Sequence, residues 1–228
     1  ERAVMPVIFA ELAAHYPLHK VRDENSEVVA ANGQYILVRR AAYEAVDGHV
    51  AVATEILEDV ALARRFRSAG KRVYFRYGGD AVRTRMYRNW AQLREGWTKN
   101  LARLFPHLEL LAFLSLAAWL VAWSALATAI FGAFTQRFVW TFCALFWLLL
   151  YRRIHAAHFA LANNLIAMLF GPPIFTYLLL RSKQAYAHGR VSWKGRTYEV
   201  GGGSTPAAMK VVETRPKVGD QKLGTENG

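Results

Sequence analysis

The chain has 228 residues, of which 54% are hydrophobic and 20% charged, with a formal net charge of +12. Those averages describe neither an ordinary soluble domain nor a wholly buried membrane protein, but a water-facing segment joined to a bilayer segment. The single cysteine, Cys143, excludes an intrachain disulfide and any cysteine-based metal cluster.

The chain opens on Glu1-Arg2-Ala3-Val4, without an initiator Met or a basic stretch ahead of an apolar one. No signal peptide is visible, and the reading expects a fragment whose front is missing. From Val28 to Val38 an Asn32-Gly33 turn signal precedes a β-branched and aromatic run, which predicts a loop feeding a buried strand. Arg39 to Val46 reads as a short helix closed by Asp47-Gly48. Leu57 to Ala69 has Glu58 and Asp59 at its head, Arg64, Arg65 and Arg67 near its end and Gly70 beyond, a pattern that suits the helix dipole and a glycine stop. Arg72 to Tyr77 predicts a strand ended by Gly78-Gly79. Strand, helix and strand in that order fit the tail of an α/β domain.

Asn89 to Phe105 spaces Trp90, Leu93, Trp97, Leu101 and Leu104 by three and four, with Arg94, Lys99 and Arg103 on the same helix. A basic amphipathic helix with two tryptophans belongs at a lipid headgroup layer. Leu108 to Phe134 is long enough to cross about 30 Å of hydrocarbon and predicts a transmembrane helix. Phe138 to Tyr151 predicts a second, shorter crossing. His155 to Leu180 is interrupted by Asn163-Asn164 and Gly171-Pro172-Pro173, which predicts a re-entrant or interfacial hairpin turning at Gly171–Pro173. Residues 201–228 are too poor in apolar side chains to offset ordering entropy and should be disordered. The division expected is 1–88 polar domain, 89–106 interface helix, 107–200 membrane region and 201–228 tail.

Basic residues gather beside the apolar blocks: Arg85, Arg88, Arg94, Lys99 and Arg103 before the first, Arg152-Arg153 after the second, Arg181 and Lys183 after the third. That is the bias of cytoplasmic flanks rather than of a nucleic-acid surface, so a membrane is the expected partner and nucleic acid is not. The adjacent Glu58-Asp59 is by itself no more than a dipole-stabilising pair.

The order ANGQYILVRRAAYEAVDGH, EILEDVALARRFRSAGKRV and RMYRNWAQLREGWTKNL, followed by an apolar block, resembles the carboxyl half of a family 2 glycosyltransferase of the membrane-anchored, lipid-acceptor branch. Within it the chain is similar to carotenoid and hopanoid-associated glycosyltransferases and, more distantly, ceramide glucosyltransferase. The resemblance implies an α/β fold: the carboxyl-terminal portion of a GT-A nucleotide-sugar transferase domain, followed by transmembrane and interfacial helices. It implies inverting transfer from a nucleotide-sugar donor to a lipid acceptor, at the cytoplasmic side of a multi-pass protein of the cell inner membrane. Asp59 would be the general base. Glu58 would orient a neighbour or cap its helix, and Asn32, Gly33 and Gln34 would lead toward the sugar pocket. His49 would reach the acceptor or diphosphate, against the plainer reading of a solvated loop histidine.

Many relatives carry a QxxRW motif whose Arg pairs with the diphosphate and whose Trp walls the acceptor. Here Gln92, Arg94 and Trp97 stand in QLREGW, with Gly96 where the Arg is expected, so Arg94 or Arg85 would have to substitute. Trp97 reads equally as a headgroup anchor. The SWKGRTY stretch at 192–198 resembles a segment that follows the last membrane element in relatives, and reads as an interfacial anchor. A divalent metal, Mg or Mn, is expected from the family with its ligands outside this chain. The alternatives are a processive polysaccharide synthase and a non-catalytic scaffold that binds anionic lipid.

Overall fold

The computed structural model describes residues 1–79, 81–82, 84–131, 137–193, 196–199 and 210–214. Among them the order is α1 (Met5–His15), α2 (Leu18–Arg22), α3 (Arg40–Glu44), a 3₁₀ turn (Val50–Val52), α4 (Glu58–Ser68), α5 (Trp90–Leu104), α6 (Leu108–Phe131), α7 (Arg137–His155) and α8 (Leu161–Ala187). An antiparallel meander, β1 (Arg190–Trp193), β2 (Arg196–Glu199) and β3 (Lys210–Thr214), follows, with Val191 opposite Tyr198 and Glu199 opposite Lys210. The fold is mostly helical with very little sheet.

Helices α3, α4 and α5 form where periodicity and end signals place them. The end of α4 is a Schellman turn: Gly70 N–H donates to Arg67 O, Lys71 N–H donates to Phe66 O, and Gly70 takes φ +67°. The guanidinium of Arg67 donates to the carbonyls of Val21, Asp23 and Ser26 at 2.6–2.7 Å, which binds segment 21–26 along the helix. The strands expected in 28–38 and 72–77 do not form among the described residues. Tyr35, Leu37 and Tyr74 are exposed there, Leu37 at 84%. Strand preference is realised only against a neighbouring pleated surface, and the described residues supply none beside these stretches.

The main core is built around α8. Ala167, Phe175, Leu178 and Leu179 are fully buried against Ile8 of α1 and Leu93, Trp97 and Leu101 of α5. Approach to α1 is close enough that a Cβ on Gly171 would lie 2.5 Å from both Ala3 O and Val7 Cγ2. On the α5 side, the buried Ser182 hydroxyl donates to Thr98 O at 2.7 Å and accepts from Ala102 N–H at 2.9 Å, the two groups that one turn of α5 would join.

The hairpin expected at Gly171–Pro173 is replaced by one continuous helix. Pro173 has no N–H to give Leu169 O, and the indole N–H of Trp119 on α6 donates to that carbonyl instead, at 2.9 Å. With the carbonyl freed by Pro173 satisfied from a neighbouring helix, α8 runs on beyond Gly171–Pro173.

Two helices, α6 and α8, are long and apolar enough to cross a membrane. Burial separates them: 11% of the apolar window of α6 is covered by protein, against 44% for α8, whose apolar residues form the core. The apolar run 138–151 of α7 rises only about 21 Å and is not among the two, although it was expected to cross. It packs on α6 through Trp123 and Trp147, with ring centroids 5.5 Å apart, and exposes Phe138, Phe142 and Leu149. β3 lies within the stretch expected to be disordered, and the rest of 201–228 lies outside the described residues.

Gly171→Ala should push α1 away from α8, because the nearest atom to the new methyl is a backbone carbonyl. The expected cost is about 1–3 kcal/mol, read as a lowered Tm of the purified protein in detergent; an unchanged Tm would contradict this packing.

Candidate functional site

The first turn of α4 carries the two acids. Glu58 is exposed and unpaired among the described residues, while Asp59 is half-buried. Asp59 Oδ1 accepts Val60 N–H at 2.8 Å, and Oδ2 accepts Gly33 N–H at 2.7 Å from 26 residues away. The Asn32 side chain accepts Gln34 N–H, and its carbonyl accepts Tyr35 N–H, which folds the turn that aims Gly33 N–H at the carboxylate. The structure thus brings Asn32-Gly33-Gln34 and Glu58-Asp59 together. A Cβ on Gly33 would lie an ordinary 3.6 Å from Asp59 Oδ2, so this contact does not itself demand glycine.

Asp59 joins no ion pair among the described residues. A carboxylate has about four lone-pair sites, and two backbone donors leave capacity on each oxygen for an incoming proton. Asp59 is thus fixed in orientation by two backbone donors while remaining half-exposed.

The approach to this turn is held from α5. The buried Lys99 ammonium donates to Ile56 O at 3.2 Å and lies 5.2 Å from the centre of the Trp193 ring. Ile56 packs on Val191 of β1, with Leu57 and Tyr186 alongside. The Tyr186 hydroxyl donates to Lys99 O at 2.6 Å. Sequence periodicity marks Lys99 only as one cation of an amphipathic helix. Nothing in that pattern distinguishes a lysine turned to headgroups from one turned to a loop carbonyl.

The other sequence candidates are spread around. His49 is exposed; its ring Nδ1 lies 2.8 Å from the Tyr43 hydroxyl, which also accepts His49 N–H at 2.9 Å. A hydroxyl already accepting that N–H is placed to donate to Nδ1, which favours the tautomer protonated at Nε2. The Arg85 guanidinium is folded onto the Tyr87 and Arg88 carbonyls at 3.3 Å. Gln92 belongs to the α5 cap: its N–H donates to Asn89 Oδ1 and its Oε1 accepts Arg88 N–H, both at 2.9 Å. Arg94 is half-buried and joins no ion pair among the described residues.

Trp97 is neither a headgroup anchor nor an open wall. It is 3% exposed, with Nε1–H on Met5 Sδ at 3.3 Å and its ring edge-on to Phe9. The helical spacing identified its apolar face correctly, but that face meets protein rather than lipid. The departure at Gly96 has a steric cause: a Cβ there would lie 2.5 Å from the Tyr87 hydroxyl oxygen and 2.6 Å from its Cε1. The Tyr87 ring is buried in the space an Arg side chain would need, and burial, with the Glu1 carboxylate nearby, pushes its hydroxyl pKa well above the usual tyrosine range.

Among the described residues, no group of three or more His, Cys, Asp or Glu could hold a metal ion. The described residues thus form no site for the divalent ion expected from the family.

A family model described as "Glycosyl transferase family 21" matches residues 12–205. The 4,4'-diaponeurosporenoate glycosyltransferase of Staphylococcus aureus (strain USA300) is 28% identical over 190 residues, covering 75% of this chain and 47% of that protein. The protein of the same name from strain MRSA252 is 27% identical over the same coverage. The chain spans about half the length of the curated relatives it matches. No solved structure matches it.

Gly96→Arg, which would restore the family-like dipeptide, should destabilise the protein by about 2–3 kcal/mol through overpacking on Tyr87. Adding Tyr87→Ala should recover part of the lost Tm. A stable single variant would show that the ring yields and that sterics do not explain the glycine.

Proposed function

We propose, from the premise that the chain belongs to glycosyl transferase family 21, that it is the carboxyl-terminal part of an inverting enzyme passing a sugar from a nucleotide donor to a lipid acceptor. The observation that carries this reading is the oriented, half-open carboxylate of Asp59 on the Gly33 turn. In the proposed step the acceptor O–H gives its proton to Asp59 and the oxygen attacks the anomeric carbon. The bond from that carbon to the diphosphate breaks, and its electron pair leaves on the phosphate oxygen, with inversion.

Three further features support the reading. Only Phe105, Pro106 and His107 separate α5 from α6, the candidate span least covered by protein, so a bilayer would lie close to the helix that holds the Asp59 loop. Arg94, which joins no ion pair among the described residues, is suited to a diphosphate, with Arg85 able to join if its two long backbone contacts are exchanged. The exposed apolar residues of 35–37 and 74 are what a GT-A sheet would cover if the whole protein supplied adjoining strands. In this proposal those strands also bring the donor pocket and the metal ligands, and the catalytic side faces the cytoplasm.

The name of the relatives denotes a carboxylate acceptor, an oxygen nucleophile that needs no proton removed. A hydroxyl acceptor does need one, and the two chemistries separate on Asp59. In the whole protein Asp59→Asn should lower transfer to a lipid alcohol by at least ~10² with membrane insertion unchanged. Near-normal turnover would exclude Asp59 as the base.

A further inference from the structure

Away from Asp59, the carboxyl end of α1, the turn between α5 and α6, the start of α6 and the end of α7 line a cleft of about 280 Å³. Its lining changes character along α6. At one end are Glu11, His15, His107 and Arg153; at the other are Leu110, Leu111 and Leu114, in the first turns of the helix that lies most open to lipid. Leu110 is 56% and Leu114 53% exposed.

The polar end is electrostatically built. The Glu11 carboxylate is nearly buried and is held by a two-pronged pair, Arg153 Nε to Oε1 at 2.6 Å and Nη2 to Oε2 at 2.7 Å. The pair satisfies Glu11 on both oxygens but uses only two of the five N–H donors of the guanidinium, whose side chain remains 57% exposed. His107 starts α6, its carbonyl accepting Leu111 N–H, so the unsatisfied first N–H groups and the positive end of a 24-residue helix open beside the same cleft. The one acid in that first turn, Glu109, is drawn off into an ion pair with Lys183. Donors thus exceed acceptors at the polar end, and an apolar wall leads from it along α6.

We propose that this cleft holds one phospholipid of the surrounding leaflet, its phosphate on Arg153 and the start of α6 and its acyl chain along Leu110 and Leu114. A free anion would use only the polar half and leave the leucine wall open. A single phosphodiester charge matches the spare donors of Arg153 and the helix end without displacing Glu11. The proposal does not depend on the role of Asp59.

The test uses the whole protein in phosphatidylcholine nanodiscs containing a trace of photoreactive phosphatidylglycerol, with crosslinked peptides identified by mass spectrometry. Labelling should concentrate on residues 105–114 and persist in excess inorganic phosphate. Ala14→Trp, at an exposed position on the cleft wall, should lower it at least about tenfold, and the paired change Glu11→Gln with Arg153→Gln, which removes both charges together, should also lower it. Leu145→Trp, exposed on α7 outside the cleft, should leave it unchanged. Unaltered labelling in either cleft variant that keeps the wild-type Tm, or labelling abolished by inorganic phosphate, would overturn the proposal.

Discussion

One buried ammonium sets the geometry on which the rest of this structure depends. Lys99 lies inside the protein, donating an ammonium N–H to the Ile56 carbonyl with its charge near the Trp193 ring. An ammonium taken from water costs several kcal/mol unless such partners receive it. Its bond to Ile56 therefore fixes a loop as well as satisfying a charge, and that loop runs directly into α4 and Asp59. The same helix is fastened on its other side, where Ser182 bridges Thr98 and Ala102 and the Tyr186 hydroxyl reaches Lys99 O.

The restraint continues into the membrane-facing helices. Thr176 of α8 donates to Ala112 O and Trp119 of α6 donates to Leu169 O, so α8 is tied to α6 at two depths. A continuous chain of hydrogen bonds then links the carboxylate loop, α5, α8 and α6. Under the function proposed above such linkage would have a chemical purpose, since the bilayer would set the acceptor's height while the protein sets the position of the reacting group. Rate is steeply sensitive to that relative placement.

How far the sequence revealed this depends on what kind of interaction decides each element. Acids at the head of α4, bases at its tail and Gly70 beyond it are local signals, and the helix stands where they put it. The apolar lengths of α6 and the spacing of α5 are equally local. The strands expected at 28–38 and 72–77 failed because strand preference expresses a neighbour's surface, and the continuous α8 was missed because a distant indole takes the carbonyl that Pro173 leaves free. Trp97 shows the same limit: periodicity found its face without saying what the face meets. By type and position Asp59 read only as a dipole-stabilising acid and was singled out through the family resemblance; its bond to Gly33 joins residues far apart in sequence, and the burial of Lys99 had no signal at all. The small meander β1–β3 also escaped notice, since one of its strands lies in a tail read as too polar to order.

That α5, through Lys99, holds the Asp59 loop at a fixed distance from α6 and α8 is what every part of this arrangement requires. It is tested most directly by electron–electron double resonance in lipid nanodiscs, with spin labels at the exposed positions Glu58 and Val121 after Cys143→Ala. One narrow distance distribution is predicted, broadening when Lys99 is replaced by Met. A broad distribution with Lys99 intact, or a narrow one indifferent to its removal, would contradict the account.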